Sequence, residues 1–532
     1  MIKYNNIQVK TVLAFIFLLS LTNMYGQKAS EQKTIAIEPG EHWWGGVVRD
    51  GHMMPFDSSY SVNMFGDNKG NQIQPLLVSD HGRVIWSEDP IEFATKDGQI
   101  VVSSGSAILL NKAGTSLKDA FLFASSTYFP PSGKKPDELL FTSPQYNTWI
   151  ELIYDQNQAD ILDYANKIIA NGFPPGVIMI DDNWQEDYGK WNFHPGRFDN
   201  PKAMIDSLHS MEFKVMMWIC PFVSPDCDVY RDLSSKGYFL KEPVGNDPLI
   251  VRWWNGASAV LDFTNPGAVK WFSSQLQFLS ETYGVDGFKL DAGDSYFYNQ
   301  PSKSFIPNAT PNDHTYSFQQ FGLEYPLNEY RSSWKMGGQP LAQRLHDKGH
   351  NWDDLQVLIP QMLLQGLIGY PFSCPDMIGG GDYGSFINLY KVDQELIVRS
   401  AQVHALMPMM QFSVAPWRVL DSSKLEAIKK AIEIREYYLP TIMELLETAT
   451  KTGEPIVRMM EYEFPGLGYE GIKDQFMLGS NILVAPVLEK GAQIRKVVLP
   501  KGKWIYKEKV YKGGKTIIVN VDITDIPVFK KI

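Results

Sequence analysis

The sequence predicts an α/β protein: a (β/α)8 TIM barrel flanked by an N-terminal β-sandwich and a small C-terminal β-sandwich. Between residues 146 and 464, strand-like apolar runs alternate with amphipathic helical segments, the pattern of a parallel sheet joined by crossover helices. On either side of that stretch, short alternating strands are separated by Gly, Asn and Asp turns. A length of 532 residues leaves room for one large barrel with accessory domains.

Residues 1–26 have the form of a signal peptide. Lys3 and Lys10 supply a basic flank, "VLAFIFLLSL" a short apolar centre, and cleavage is expected near Gly26. The apolar run is too short for a comfortable membrane span, and no other stretch is long enough for one. No cysteine sits beside the cleavage region, so no lipid anchor is suggested. The expectation is a soluble mature chain, exported to the periplasm or secreted.

Residues 27–145 are expected to form the first sandwich, with strands such as "GQIVVSS" and "SAILLN" and no long helix. The barrel, 146–464, opens on "TWIELIY" as a strand. Its first helix is "NQADILDYANKIIANG", whose Ile161, Tyr164, Ile168 and Ile169 share a face. "GVIMIDD", "KVMMWICPF", "VDGFKLDAGD", "QPLAQRLHD" and "LIGYPFSCPD" follow as strand ends. Between them lie helices at "NPKAMIDSLHSM", at "NPGAVKWFSSQLQFLSETYG", where Asn265 caps and Pro266 takes the first turn, and at "WDDLQVLIPQMLLQG". An open doubly wound sheet is the alternative, but no glycine-rich phosphate loop opens any of these helices. Residues 465–532 return to β texture.

A net charge of −11 with no long basic run argues against a nucleic-acid partner. Aromatics make up 13% of the chain, which suits sugar-ring platforms as well as a large core. Three cysteines form no disulfide framework, though Cys220 and Cys227 are close enough in sequence to bridge. Nine histidines show no HExxH or clustered pattern, so neither a metal site nor a cofactor is predicted, and the oligomeric state is left open.

The chemistry is read from strand ends. In "YGVDGFKLDAGDSYFY", Val285, Phe288 and Leu290 read as a buried strand that stops at Asp291, where Ala292-Gly293 turns the chain. A carboxylate is costly in a core but useful at a strand mouth open to substrate. Three more polar clusters fall at predicted strand ends: Asp181-Asp182-Asn183-Trp184, Arg344 through Asp347, and Pro375-Asp376. A lone aspartate there is usually a helix cap or salt-bridge partner. Four clusters on one face, with Trp184 and Trp218 nearby, argue for a site.

Without His or Cys partners, acyl-transfer triads are excluded. Paired carboxyl groups for glycoside hydrolysis remain, as does a hard cation held by Asp181, Asp182, Asp291 and Asp294. A non-catalytic carbohydrate-binding barrel would keep the aromatics and lose one of the carboxylates.

The segments "MIDDNW", "FKVMMWICPF", "AVLDFTNPGAVKWF", "DGFKLDAGD", "GYPFSCPDMIGGG", "PIVRMMEYEFP" and "DQFMLGSNILVAPVLEKGA", in that order, resemble glycoside hydrolase family 31, the retaining α-glycosidases. The resemblance runs from about residue 146 to the end. It implies an oligosaccharide or glycoside substrate, Asp291 as nucleophile and, counting back from Asp376, Asp347 as acid/base. It further implies sugar contacts from Asp181, Asp182, Trp184, Trp218, Lys289 and Asp376. Arg331 is expected to touch the acid or a sugar hydroxyl, with Arg344 the competing choice.

Lys-Leu-Asp-Ala-Gly-Asp at the nucleophile resembles the branch containing myogenesis-regulating glycosidase and bacterial α-galactosidases. "IDDNW" is also similar to the paired-aspartate stretch of related α-galactosidase families. The resemblance therefore points to α-galactosides, with α-glucosides, α-xylosides and α-N-acetylgalactosaminides as alternatives. One departure weakens the glucoside alternative. "MPMMQFSVAPW" holds no histidine where α-glucosidases place a sugar contact, and His404 lies several residues early.

Overall fold

The computed structural model describes residues 31–388 and 391–532; the expected signal peptide, residues 1–26, lies outside the described residues. The N-terminal part packs two antiparallel sheets. One orders its strands Glu31–Ala36, Gln99–Ser104, Ile91–Lys96 and Ser61–Asn63. The other is built on Gln72–Ser79, flanked by Trp43–Val47 and Arg83–Trp86. Trp43, Val62, Ile73, Phe93 and Ile100 fill the space between them.

Two local expectations fail in this region. A twelve-residue helix, Leu117–Tyr128, follows the last strand, and Ser116 and Asp119 cap it reciprocally. It packs on the second sheet, burying Leu117, Ala120, Phe121 and Ala124. The first barrel strand is Gln145–Asn147, whereas Trp149–Leu152 of "TWIELIY" makes a helical turn. Asn147 Oδ1 accepts from Trp149 N at 2.8 Å, an Asx contact that turns the chain out of the strand.

Eight parallel strands form the barrel. In chain order they are Gln145–Asn147, Val177–Ile180, Lys214–Ile219, Gly287–Leu290, Asn328–Tyr330, Gln343–Arg344, Ser373–Cys374 and Gln411–Phe412. Neighbours pair in register around the sheet, and Ile378 N donates to Gln411 O at 2.8 Å where the last two strands approach. The helices named from the sequence are found, whereas Pro311–Gly322, Gln394–Ala405 and the 31-residue Ser422–Thr452 were not foreseen. Pro266–Tyr283 is capped by Asn265 and closed by Gly284, and Trp352–Leu367 by Asn351, with Asp353 and Asp354 in its first turn.

The barrel interior is polar at one level. Glu329 accepts from Gln411 Nε2 at 2.7 Å and from Arg344 Nε at 3.2 Å, and Gln411 also donates to Gln145. A buried carboxylate satisfied in this way lets buried cations sit under the mouth.

The C-terminal sheet begins with Val457–Arg458, which pairs with Phe476–Leu478. Its core holds Trp504, Phe529, Leu483 and Val497. Ser333–Trp334, from the loop after the fifth barrel strand, pairs parallel with Gln72–Ser79, and Trp334 enters the core of the N-terminal sandwich. The sandwich is thereby stitched to the barrel at the end of the fifth strand.

Candidate active site

Asp291 ends the fourth barrel strand. Ala292 and Gly293 follow with φ of 57° and 70°, so two successive left-handed residues turn the chain sharply away. Gly293 is required, because a Cβ there would lie 2.4 Å from Phe318. Both carboxylate oxygens of Asp291 are held. Oδ1 accepts from Arg331 Nε at 3.1 Å and Ala292 N at 2.8 Å, and Oδ2 from Trp218 Nε1 at 3.0 Å. Burial alone would raise its pKa. Arg331, then Lys289 and Arg344, outweigh burial and hold it well below the usual carboxylate range.

Arg331 follows the fifth strand and binds three elements at once. Besides Asp291, its Nη2 reaches Asp294 Oδ2 at 2.8 Å, and its Nη1 donates to the Gly70 carbonyl at 2.9 Å. Its guanidinium lies 5.5 Å from the Trp254 ring. The expectation that Arg331 touches the acid candidate is corrected here: Arg331 serves Asp291 and Asp294. Arg344 serves Asp347, with Nη1 2.7 Å from Asp347 Oδ1 and 2.6 Å from Asp376 Oδ1. The side chain of Asp347 is 42% exposed, against 1% for Arg344.

At the end of the second strand, Asp181 Oδ2 lies 2.6 Å from Nζ of Lys289 on the fourth, both side chains being buried. Lys289 and Asp181 thus neutralise each other, and the lysine supports Asp291 through space. Asp182 accepts from Tyr188 at 3.1 Å and from Asn255 Nδ2 at 2.5 Å. Burial, with Asp181 beside it, raises its pKa to about 7.

Two expected sugar contacts are corrected. Trp184 is fully buried, stacks near Trp191, and gives its indole N–H to the Trp218 carbonyl at 2.8 Å. It is a core residue. Asp376 is likewise enclosed. Its Oδ2 accepts from Lys348 N and Gly381 N while Oδ1 takes Arg344, so it holds the loops around Asp347 and has no free surface. Trp218 is buried too and meets the site through its bond to Asp291 and its edge contact with Tyr188. His404 is a core histidine with burial pushing its pKa down to about 3.

The thiols of Cys220, Cys227 and Cys374 are free and buried, so the candidate bridge is absent. The hard-cation alternative also lacks its ligands, since Asp181 carries Lys289 while Asp291 and Asp294 share Arg331. Among the described residues no group of three or more His, Cys, Asp or Glu is placed to hold a metal ion.

Other groups at this face were not foreseen. Trp254 sits at the tip of the hairpin joining Ile250–Trp253 to Gly256–Val260 and is 49% exposed. "WWNG" is the visible signal, since two tryptophans at a turn cannot both be buried. A pocket of about 530 Å3 runs beside Arg331, lined by Trp254, Tyr296 and Asp294 on the barrel side and by Arg49, Asp67 and Lys69 from the N-terminal sandwich.

An eight-stranded parallel barrel with buried, cation-held carboxylates at its mouth is a layout that barrel hydrolases working through carboxyl groups use. The profile of the "Glycosyl hydrolases family 31 TIM-barrel domain" matches residues 145–445, and that of the family's C-terminal domain matches 453–532. The chain belongs to glycoside hydrolase family 31.

It is 34% identical over 411 residues to the myogenesis-regulating glycosidase of Mus musculus, covering 75% of this chain and 57% of that one. It is 26% identical over 409 residues to alpha-glucosidase 2 of Bacillus thermoamyloliquefaciens, covering 71% and 51%. The chain thus spans just over half the length of these relatives. Its fold matches a dextranase of the family from Flavobacterium johnsoniae complexed with glucose, with a TM-score of 0.82 at 21% identity, over 94% of this chain and 66% of the other. A soil-metagenome alpha-xylosidase complexed with xylose matches with a TM-score of 0.81 at 22% identity, over 96% and 81%.

Proposed function

We propose that the protein is a retaining exo-α-glycosidase acting on α-galactosides, with Asp291 as nucleophile and Asp347 as acid/base. The observation that carries this reading is the contrast between the two carboxyl groups. Asp291 is buried, held ionised by Arg331 and aimed from a strand mouth, while Asp347 is half open to solvent on a separate arginine.

In the first step an Asp291 oxygen attacks the anomeric carbon as the bond to the leaving oxygen breaks, and Asp347 gives that oxygen its proton. In the second, Asp347 takes a proton from water, whose oxygen displaces Asp291 and frees the sugar with its α configuration kept. Trp218 and Arg331 orient the Asp291 carboxylate and take part of its charge as the glycosyl bond breaks.

The galactoside reading rests on the Asp181-Asp182 pair. At neutral pH Asp182 both accepts and, when protonated, donates, and with Tyr188 and Asn255 around it this suits an axial hydroxyl. A site tuned to such hydroxyls rejects the epimer by leaving its own groups unpaired. The likeness to myogenesis-regulating glycosidase and the missing histidine in "MPMMQFSVAPW" favour the same reading. Export of the mature chain remains part of the proposal, on the strength of residues 1–26.

A panel of aryl α-glycosides, with the released anomer followed by NMR, tests the proposal. α-Galactose released first as the α-anomer is expected. Preference for glucoside, xyloside or N-acetylgalactosaminide would overturn the sugar, and first release of the β-anomer would overturn the retaining mechanism.

A further inference from the structure

The charge of this acidic chain is unevenly placed. Residues 490–532 carry eleven Lys and Arg against three Asp and Glu, a net +8, so the remainder carries −19. Most of these cations crowd one end of the C-terminal sheet. Lys503 stands directly opposite Lys512 across an antiparallel ladder, and Lys530 and Lys531 lie on the neighbouring strand, paired with Ile505 and Trp504. On the adjoining two-stranded sheet Lys515 pairs with Leu499, and Lys501 follows in the turn, its Cγ 3.4 Å from where a Cβ on Gly514 would sit.

All six lysines are exposed, and none has a carboxylate within ion-pair distance among the described residues. One neighbouring apolar side chain is exposed as well, Val510 at 54%, next to Lys509.

Protection of a sheet edge accounts for part of this. Lys509–Lys512 is an edge strand, and edge lysines block strand addition. Lys530 and Lys531 belong to an interior strand, however, and like charges set opposite each other weaken a sheet. Lysines without carboxylate partners, beside an exposed aliphatic side chain, suit an interface of anionic headgroups over acyl chains, although Lys531 also lies 5.3 Å from the Phe464 ring. Lysine outnumbers arginine ten to one here, which fits adhesion to a charged surface better than bidentate capture of one sulfate or phosphate. Among the described residues no helix is long and apolar enough to cross a membrane, so a bilayer would be met at its surface.

We propose that this lysine-rich end of the C-terminal sheet docks the protein on an anionic lipid bilayer. The opposite charge of the remaining domains would turn the barrel away from the same surface.

Co-sedimentation of the full chain with vesicles tests this. One set is pure phosphatidylcholine and the other contains about 30 mol% phosphatidylglycerol. Binding is expected to the anionic vesicles alone and to be lost at about 0.5 M NaCl. The triple variant Lys503→Glu, Lys512→Glu, Lys530→Glu should lower the partition coefficient by at least about tenfold with its thermal melt preserved. Should that variant fail to fold, the corresponding Gln triple is expected to show a smaller loss in the same direction.

No pelleting with anionic vesicles at low salt overturns the proposal, as does pelleting that neither triple variant weakens. Capture by a soluble acidic polysaccharide without vesicle binding overturns the bilayer and reassigns the face to polyanionic glycans.

Discussion

Arg331 Nε lies 3.1 Å from Asp291 Oδ1, and the same guanidinium reaches Asp294 and the Gly70 carbonyl of the N-terminal sandwich. The candidate nucleophile is therefore held by a cation that a different domain holds in turn. Replacing Arg331 by Met should raise the pKa of Asp291, because its strongest neighbouring cation is gone. Activity needs ionised Asp291, so the acid limb of the kcat/KM profile should move to higher pH by about one unit or more. An unmoved acid limb would remove Arg331 from this role.

Asp291→Asn should lower turnover of every α-glycoside by more than about a thousandfold while leaving the thermal melt in place. Assay with an activated aryl glycoside and calorimetry on the same sample check both halves.

Asp347→Ala should separate substrates by leaving group. Glycosides with poor leaving groups need protonation and are expected to lose about 100-fold or more, whereas activated aryl glycosides lose much less in the first step. Equal losses on both would argue against Asp347 as the acid.

Asp182 gives a stability signature. Its pKa in the folded chain is about 7, above the 3.8 of a free aspartate, so the folded state keeps a proton that the unfolded chain has released. The stability this contributes is full below about pH 4 and is lost as pH rises toward 7. Asp376 is raised by burial in the same way, so the effect is read as a difference. Asp182→Asn should show a shallower fall of Tm between pH 4 and 7 than the wild type. Parallel curves would refute the assignment.

Gly293→Ala should destabilise the turn after Asp291 by about 1–3 kcal/mol, since the new methyl meets the Phe318 ring in a left-handed conformation. Chemical denaturation checks this, and an unchanged midpoint would mean the turn relaxes freely.

Local chemistry was legible where it is written locally. Asn265-Pro266 and Asn351-Trp352-Asp353-Asp354 specify helix starts whatever surrounds them, and the apolar runs ending at Asp181 and Asp291 are strands ending in carboxylates. The helix Leu117–Tyr128 was missed because its twelve residues sit among strands and its continuous apolar run "AFLFA" blurs the helical period. Trp184 misled because it follows the strand-end carboxylates Asp181 and Asp182, while the left-handed backbone at Asn183 turns the indole into the core.

The sequence by itself determined the class of fold, the order of its domains, and which strands end in carboxylates, because periodicity and capping act within a few residues. Tertiary structure alone decided which arginine serves which carboxylate, that Asp376 is enclosed, and that Gly70 meets Arg331 across 261 residues of chain. Those contacts arise when barrel closure and the Ser333–Trp334 strand bring distant segments together, and no local pattern encodes a distance set by closing a ring.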